Sequence, residues 1–452
     1  MMNKTFYIET YGCQMNFADS EVVNSILMSQ GMLPVQSAEE ADVIFVNTCS
    51  IRENAESRVW NRLKEFRSLK KSRGDLMVGV LGCMAERVRE QIIDKEKLVD
   101  IVVGPDAYRD IPNLLAEVED GRKAVNVLLS LEETYADISP VRTSGNGVTA
   151  FVSIMRGCDN MCAFCVVPFT RGRERSRPLE SILREIDELN HQDYKEVTLL
   201  GQNVNSYKFE NIDFTHLMDE ASSLYPEMRF RFSSPHPKDF PEPLLHLIAE
   251  RPNLCSYIHI PAQSGSSSML ERMKRPYTRE QYLVLIDKMR AIIPGVSLST
   301  DIIAGFCDET EQEHLDTMSL MQAVEYDLAY MFAYSERERT LAQRKYEDNV
   351  PEKVKKRRLT EIIRQQMSIQ EKNNKKEIGR RHLVLVEGTS KRSDQQLSGR
   401  TDTNKIVVFD REKYLKGDYV EVEITDSTSA TLIGTPVEKS SIARFYSVPA
   451  YA

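Results

Sequence analysis

Short apolar runs and amphipathic stretches take turns along most of this chain. Between residues 4 and 120, the runs at 5–9, 42–47, 76–81 and 100–103 have the length of strands. The stretches at 18–30, 52–72, 85–94 and 106–119 repeat their apolar positions with helical spacing. This βαβα rhythm predicts a parallel sheet with helices on both faces. The rhythm resumes between residues 148 and 350. Strands are predicted at 149–155, 195–200, 228–233, 256–260, 296–303 and 327–332, with helices among them at 178–190, 242–250, 279–292 and 309–325. Six βα units fit a partial, open parallel barrel. Past Pro351, residues 353–376 read as a basic helix. The pattern then shortens to strands at 382–387, 396–401, 405–409, 418–424 and 429–435, separated by turn signals such as Lys416-Gly417-Asp418. Five short strands predict a small OB-like barrel, a fold often used on nucleic acid. The tail after Pro436 is expected to be disordered. The fold class is therefore α/β in three domains: a parallel-sheet domain at 1–125, a (β/α)6 partial barrel at 145–375 and a β-barrel at 376–440.

Cysteines fall at informative points of this frame. Cys13, Cys49 and Cys83 each follow a predicted strand of the first domain. Ligands of open α/β sheets bind at that carboxyl edge. Three thiols at equivalent strand ends point to one shared site rather than to unrelated buried cysteines. A second set, Cys158, Cys162 and Cys165, has the spacing C-x₃-C-x₂-C and follows the first strand of the barrel. It brings three thiolates together and supplies no fourth, whereas a closed structural zinc site takes four ligands. An iron–sulfur cluster can accept three cysteines and leave one iron open. A zinc knuckle completed by a distant histidine is the competing reading, and no histidine lies near the run.

Charge adds one contrast. The chain of 452 residues carries a formal net charge of −9. Residues 353–381, however, are strongly basic, and local charge rather than the total attracts phosphate. A solvated helix face is the alternative reading of that segment. Arg171, Arg173, Arg175 and Arg177 alternate beside the second cysteine run. No stretch is long and apolar enough for a membrane helix, and the N-terminus lacks the pattern of a signal peptide. A cytoplasmic location is expected, where thiols remain reduced.

The run Met155-Arg156-Gly157-Cys158-Asp159-Asn160-Met161-Cys162-Ala163-Phe164-Cys165 resembles the cluster-binding motif of radical S-adenosylmethionine enzymes, including the aromatic Phe164. From Tyr11-Gly12-Cys13-Gln14-Met15-Asn16 onward, the whole chain resembles the methylthiotransferase family within them. Its last domain is similar to a TRAM domain, at Val386-Glu387-Gly388-Thr389-Ser390 and Leu397-Ser398-Gly399-Arg400-Thr401. The segment Cys165 to Pro178 looks most like the bacterial tRNA branch, which replaces the C2 hydrogen of N6-isopentenyladenosine with a methylthio group.

The resemblance implies two [4Fe-4S] clusters, one on Cys13, Cys49 and Cys83 and one on Cys158, Cys162 and Cys165. It implies two S-adenosylmethionine molecules per turnover, one as methyl donor and one as radical source. Phe164, Gly201, Gln202, Asn203, Ser233, Ser234, Gln263 and Asp301 suit contacts to that cofactor, against ordinary turn and capping duty. Arg171, Arg173, Arg175, Arg177, Lys355, Lys356 and Arg400 are the expected RNA contacts. Implied partners are a tRNA anticodon stem-loop, a reductant protein such as a flavodoxin, and iron–sulfur assembly carriers, with the enzyme a monomer. Competing functions are methylthiolation of threonylcarbamoyl-adenosine or of a ribosomal-protein aspartate and, from another class, a non-catalytic zinc- and RNA-binding protein. One departure stands out: Cys307 replaces the family's proline in Gly305-Phe306-Cys307-Asp308-Glu309-Thr310. It is expected, like Cys255, to be a non-ligand thiol.

Overall fold

The structure is a computed structural model that describes residues 4–50, 53–89, 91–143 and 145–447. Its first part is a six-stranded sheet. The spatial order is Leu33–Pro34, Thr5–Thr10, Val43–Thr48, Met77–Gly82, Ile101–Val103 and Ala124–Asn126, and every pairing is parallel. Every residue of Val43–Thr48 and Met77–Gly82 is buried. That burial on both faces explains why they read as continuous apolar runs. Separate hydrophobic clusters fill the two faces, one around Phe45 and Tyr108 and one around Val46 and Phe66. The two edge strands escaped the sequence reading because each is only two or three residues long.

The central part is the open barrel. Thr149–Ser153, Glu196–Leu200 and Arg229–Phe232 form one parallel sheet, and Tyr257–His259, Ser297–Ala304 and Leu328–Ala333 form another. A bridge from Phe230 to Leu254 joins them, with Cys255 N–H donating to Phe230 O at 3.0 Å. Alternate strand residues face outward onto the helices: Val197, Leu199, Phe230, Phe232, Ile258, Leu298 and Ile302 share one core. The helix Phe214–Leu224 belongs to this shell and went unpredicted, although Asp213 caps it by accepting from His216 N–H at 2.9 Å. The basic helix is real and spans Glu352–Lys375.

The last part is a closed five-stranded barrel. Its final strand is Leu432–Ser440, and a helix, Ile442–Tyr446, follows. The expected disorder after Pro436 is therefore corrected as far as Ser447, while 448–452 lie outside the described residues. Ile442 and Phe445 are three apart, share one helix face and bury themselves against Val148, Leu383, Leu385 and Tyr419. Two buried arginines also fix this barrel to the amino ends of the central strands. Arg229 donates to Arg400 O (2.9 Å) and Leu383 O (2.6 Å), and Arg231 donates to Asp402 O (2.7 Å) and Thr401 O (2.6 Å). No helix among the described residues is long and apolar enough to cross a membrane.

Candidate active site

The first cysteine triad sits where parallel register puts it. Thr10 pairs with Asn47, and Thr48 pairs with Gly82, so the chain leaves three adjacent strands side by side. Cys13 then caps the helix Gln14–Ser29, and Cys83 begins the helix Cys83–Val88. Buried amides hold the loops. Asn16 Nδ2 donates to Asn47 Oδ1 at 3.1 Å and to Thr48 O at 3.0 Å, and Asn47 Nδ2 donates to Asn16 O at 2.8 Å. Gly12 has φ +138°, and a Cβ there would lie 2.4 Å from Cys49 Cβ. Glycine lets the two loops touch. A hydrogen bond with Cys49, aided by the charge of Arg171, brings the Cys13 thiol down to about 6. Burial pushes the Cys83 thiol up.

The second triad lies on the loop between Met155–Arg156 and the short helix Val167–Thr170. Gly157 (φ +79°) makes the entry turn, where a Cβ would fall 1.9 Å from Arg173 O. Backbone bonds pin the loop: Cys158 N–H to Gly172 O (3.1 Å), Cys165 N–H to Cys162 O (3.0 Å) and Ala163 N–H to Met273 O (2.8 Å). Arg275 Nη1 donates to Cys162 Sγ at 3.3 Å. Phe164 packs beside Phe306, Met269 and Met273. Burial pushes the Cys158 thiol up to about 12.

A cavity of about 180 Å³ joins the two parts. Cys13, Cys83, Arg171, Gly201, Gln202, Ser233 and Ser234 are among its walls. Both amide atoms of Gln202, Asn203 Oδ1 and His236 Nε2 are buried without a protein hydrogen-bond partner. Such orphans carry a desolvation cost that a bound polar molecule would remove. Ser234 (φ +61°) and Gln263 (φ +68°) hold left-handed backbone at the strand ends, a strain that concentrates at ligand sites. Gln263 is tied to the fifth barrel strand through Asp301 O (2.8 Å) and Ile303 N (3.0 Å), and the Asp301 carboxylate lies 3.5 Å from His259 Nε2. Among the described residues, no three His, Cys, Asp or Glu side chains close around a single metal ion. A cluster instead takes one thiolate on each of several irons. The donor chemistry and the orphaned amide together fit two three-cysteine clusters and a polar cofactor.

The arginine loop is a correction. Arg171, Arg175 and Arg177 are 2%, 7% and 4% exposed, so they do not present themselves to RNA phosphates. They meet carboxylates instead: Arg171 on Asp19 (2.7 Å), Arg175 on Asp106 (2.9 Å) and Arg177 on Glu185 (2.7 Å). Arg173 is the outward member, paired with Asp159 at 3.3 Å. Lys355 is likewise corrected. It is 1% exposed, bound to Asp348 (2.7 Å) and Tyr334 O (3.3 Å), whereas Lys356 is exposed. Arg400 is half-buried, with Glu387 at 3.1 Å. The sequence reading missed Asp19, which lies 1% exposed in mid-helix and binds both Arg156 (2.9 Å) and Arg171. Nothing local marks it, because its arginine partners lie more than a hundred residues away. Cys307 and Cys255 are buried, and burial raises both thiols, Cys255 to about 12.

Comparison with known proteins places this geometry. Residues 5–104 match uncharacterized protein family UPF0004, residues 152–321 the radical SAM superfamily and residues 375–437 the TRAM domain. A tRNA-2-methylthio-N(6)-dimethylallyladenosine synthase of Chloroherpeton thalassium is 56% identical, over 95% of each chain. One of Amoebophilus asiaticus is 53% identical, over 96% of this chain and 92% of its own. The mitochondrial tRNA methylthiotransferase CDK5RAP1 of Mus musculus is 52% identical, over 95% and 80%. Among solved structures, the radical S-adenosylmethionine methyltransferase TsrM of Kitasatospora setae shares the fold at a TM-score of 0.55 and 15% identity, covering 74% of this chain and 75% of its own.

Proposed function

Because the chain belongs to the family of tRNA-2-methylthio-N(6)-dimethylallyladenosine synthases, we propose that the two cysteine triads, with the cavity beside the first of them, methylthiolate C2 of that adenosine. The protein is a radical S-adenosylmethionine transferase acting on tRNA. When bound, the two iron–sulfur clusters and S-adenosylmethionine supply the electron, the carbon radical, the methyl group and the sulfur. Two S-adenosylmethionine molecules are consumed per turnover in this reading. An electron-transfer protein, iron–sulfur carriers, a monomeric state and a reducing cytoplasm complete it.

The chain's own residues bind, orient and exclude water. Gln202, with its unsatisfied amide, and Asn203 would hold a polar part of the cofactor, and Ser233 and Ser234 line the same cavity as Gln202. Phe164 anchors the second cysteine loop in an apolar cluster. The observation that carries the proposal is the shared cavity, which Cys13 and Cys83 line together with the strand-end residues of the barrel. Reactants held in one small space gain from proximity, worth roughly 7–11 kcal/mol in favourable cases. The test is mass analysis of tRNA from a strain lacking the gene. The methylthio group should be missing from the isopentenylated base and return with the intact gene. A different missing modification would replace the substrate in this reading.

A further inference from the structure

Each triad has a buried guanidinium on one of its sulfurs, but the two are held differently. Arg275 reaches Cys162 from inside the barrel, fixed by Pro261 O (3.1 Å) and Tyr277 Oη (2.8 Å). Arg171 crosses a boundary. It belongs to the segment after the second triad, and its Nε donates to Cys83 Sγ at 3.2 Å in the first domain. Its Nη2 is held by Asp19 Oδ2 at 2.7 Å. The other oxygen of Asp19 takes Arg156 at 2.9 Å, and Arg156 stands two residues before Cys158. One carboxylate thus anchors both sides of the second cysteine loop to the first domain.

That leaves Nη1. It is buried without a protein hydrogen-bond partner, on a side chain 3% exposed, and Arg171 lines the cavity with Cys13 and Cys83. A fixed guanidinium with a spare N–H beside Cys13 and Cys83 is suited to hold an anion. We propose that Arg171 holds the small sulfur anion, of the hydrosulfide or methanethiolate class, that the transfer consumes at the first triad. Nε steadies the Cys83 thiolate while Nη1 donates to the anion. The inference rests on the reading that Cys13, Cys49 and Cys83 hold a cluster with an open iron.

The probe is hydrosulfide, titrated into full-length protein whose Cys158, Cys162 and Cys165 are replaced by Ala, so that any remaining cluster belongs to the first triad. Binding is followed in the visible and electron paramagnetic resonance spectra of that cluster, with iron counted on the same samples. Adding Arg171→Gln should weaken hydrosulfide about ten- to a hundredfold, the range for one charge-assisted hydrogen bond, at unchanged iron content. Arg171→Lys keeps the charge without the fork and should fall between. Unchanged affinity at full iron would overturn the proposal. Loss of iron in both Arg171 variants would also overturn it, because the side chain would then build the site rather than serve an anion. A parent protein holding no iron would sink the cluster reading itself, a failure visible before any hydrosulfide is added.

Discussion

Asp19 shows how one side chain can seat a cysteine loop against another domain without a sequence signature. Replacing it with Ala leaves Arg156 and Arg171 buried with a lost counter-charge. Breaking a buried pair in this way costs about 3–5 kcal/mol, and the denaturation midpoint should drop accordingly. Burial pushes the Asp19 carboxyl up, but Arg156 and Arg171 hold it below its usual value. A depressed native pKa contributes stability that is present above the unfolded value, about 3.9, and is lost as pH falls through the native one. Acid unfolding should therefore lose part of its pH dependence below about pH 4 in Asp19→Asn, which a series of denaturation curves would reveal. Gly157→Ala places a methyl on the Arg173 carbonyl and should deplete iron from the second triad while sparing the first. Iron assays in a background lacking Cys13, Cys49 and Cys83 would measure the loss, and in one lacking Cys158, Cys162 and Cys165 the sparing. The position of the cysteines at strand ends was legible because spacing and strand ends are local features. The arginines were misread because their partners, Asp19, Asp106 and Glu185, come from distant elements.

At the level of elements, strand positions could be read from apolar runs because burial on both faces leaves little choice of residue. Helix starts were less legible than their chemistry allows. Thr310 caps Glu311–Val324 with a reciprocal pair, its side chain taking Glu313 N–H at 3.2 Å while Glu313 Oε2 accepts Thr310 N–H at 2.8 Å. Thr310→Ala should cost about 1 kcal/mol, the usual value of an N-cap, seen as a shift of the urea midpoint. The basic helix Glu352–Lys375 was readable as a helix but not as a surface. Arg358 binds Glu309 at 2.8 Å and Arg357 binds Glu311 at 2.6 Å, so much of its charge is spent within the protein. Lys356→Ala should therefore reduce the salt dependence of tRNA binding, and Lys355→Ala should instead lower stability.

Across the whole molecule, the terminal barrel docks at the amino ends of the central strands, opposite the carboxyl ends that carry the cavity. Sequence could give its fold, because alternation is local, but not this docking, which depends on Arg229 and Arg231 meeting backbone carbonyls. Deleting residues 378–452 should therefore do more than weaken tRNA binding: it uncovers both guanidiniums and Val148, and the melting temperature should fall. Two distinct triads should then do two distinct jobs, a division of labour on which the whole reading depends. That division is tested most directly by counting iron and products on the same reconstituted preparations. Intact protein should hold about eight irons per chain, one four-iron cluster at each triad, and yield both 5′-deoxyadenosine and methylthiolated tRNA. Replacing Cys13, Cys49 and Cys83 by Ala should remove about half the iron, retain some cleavage to 5′-deoxyadenosine and end methylthiolation. Full iron and continued methylthiolation in that triple variant would contradict the account.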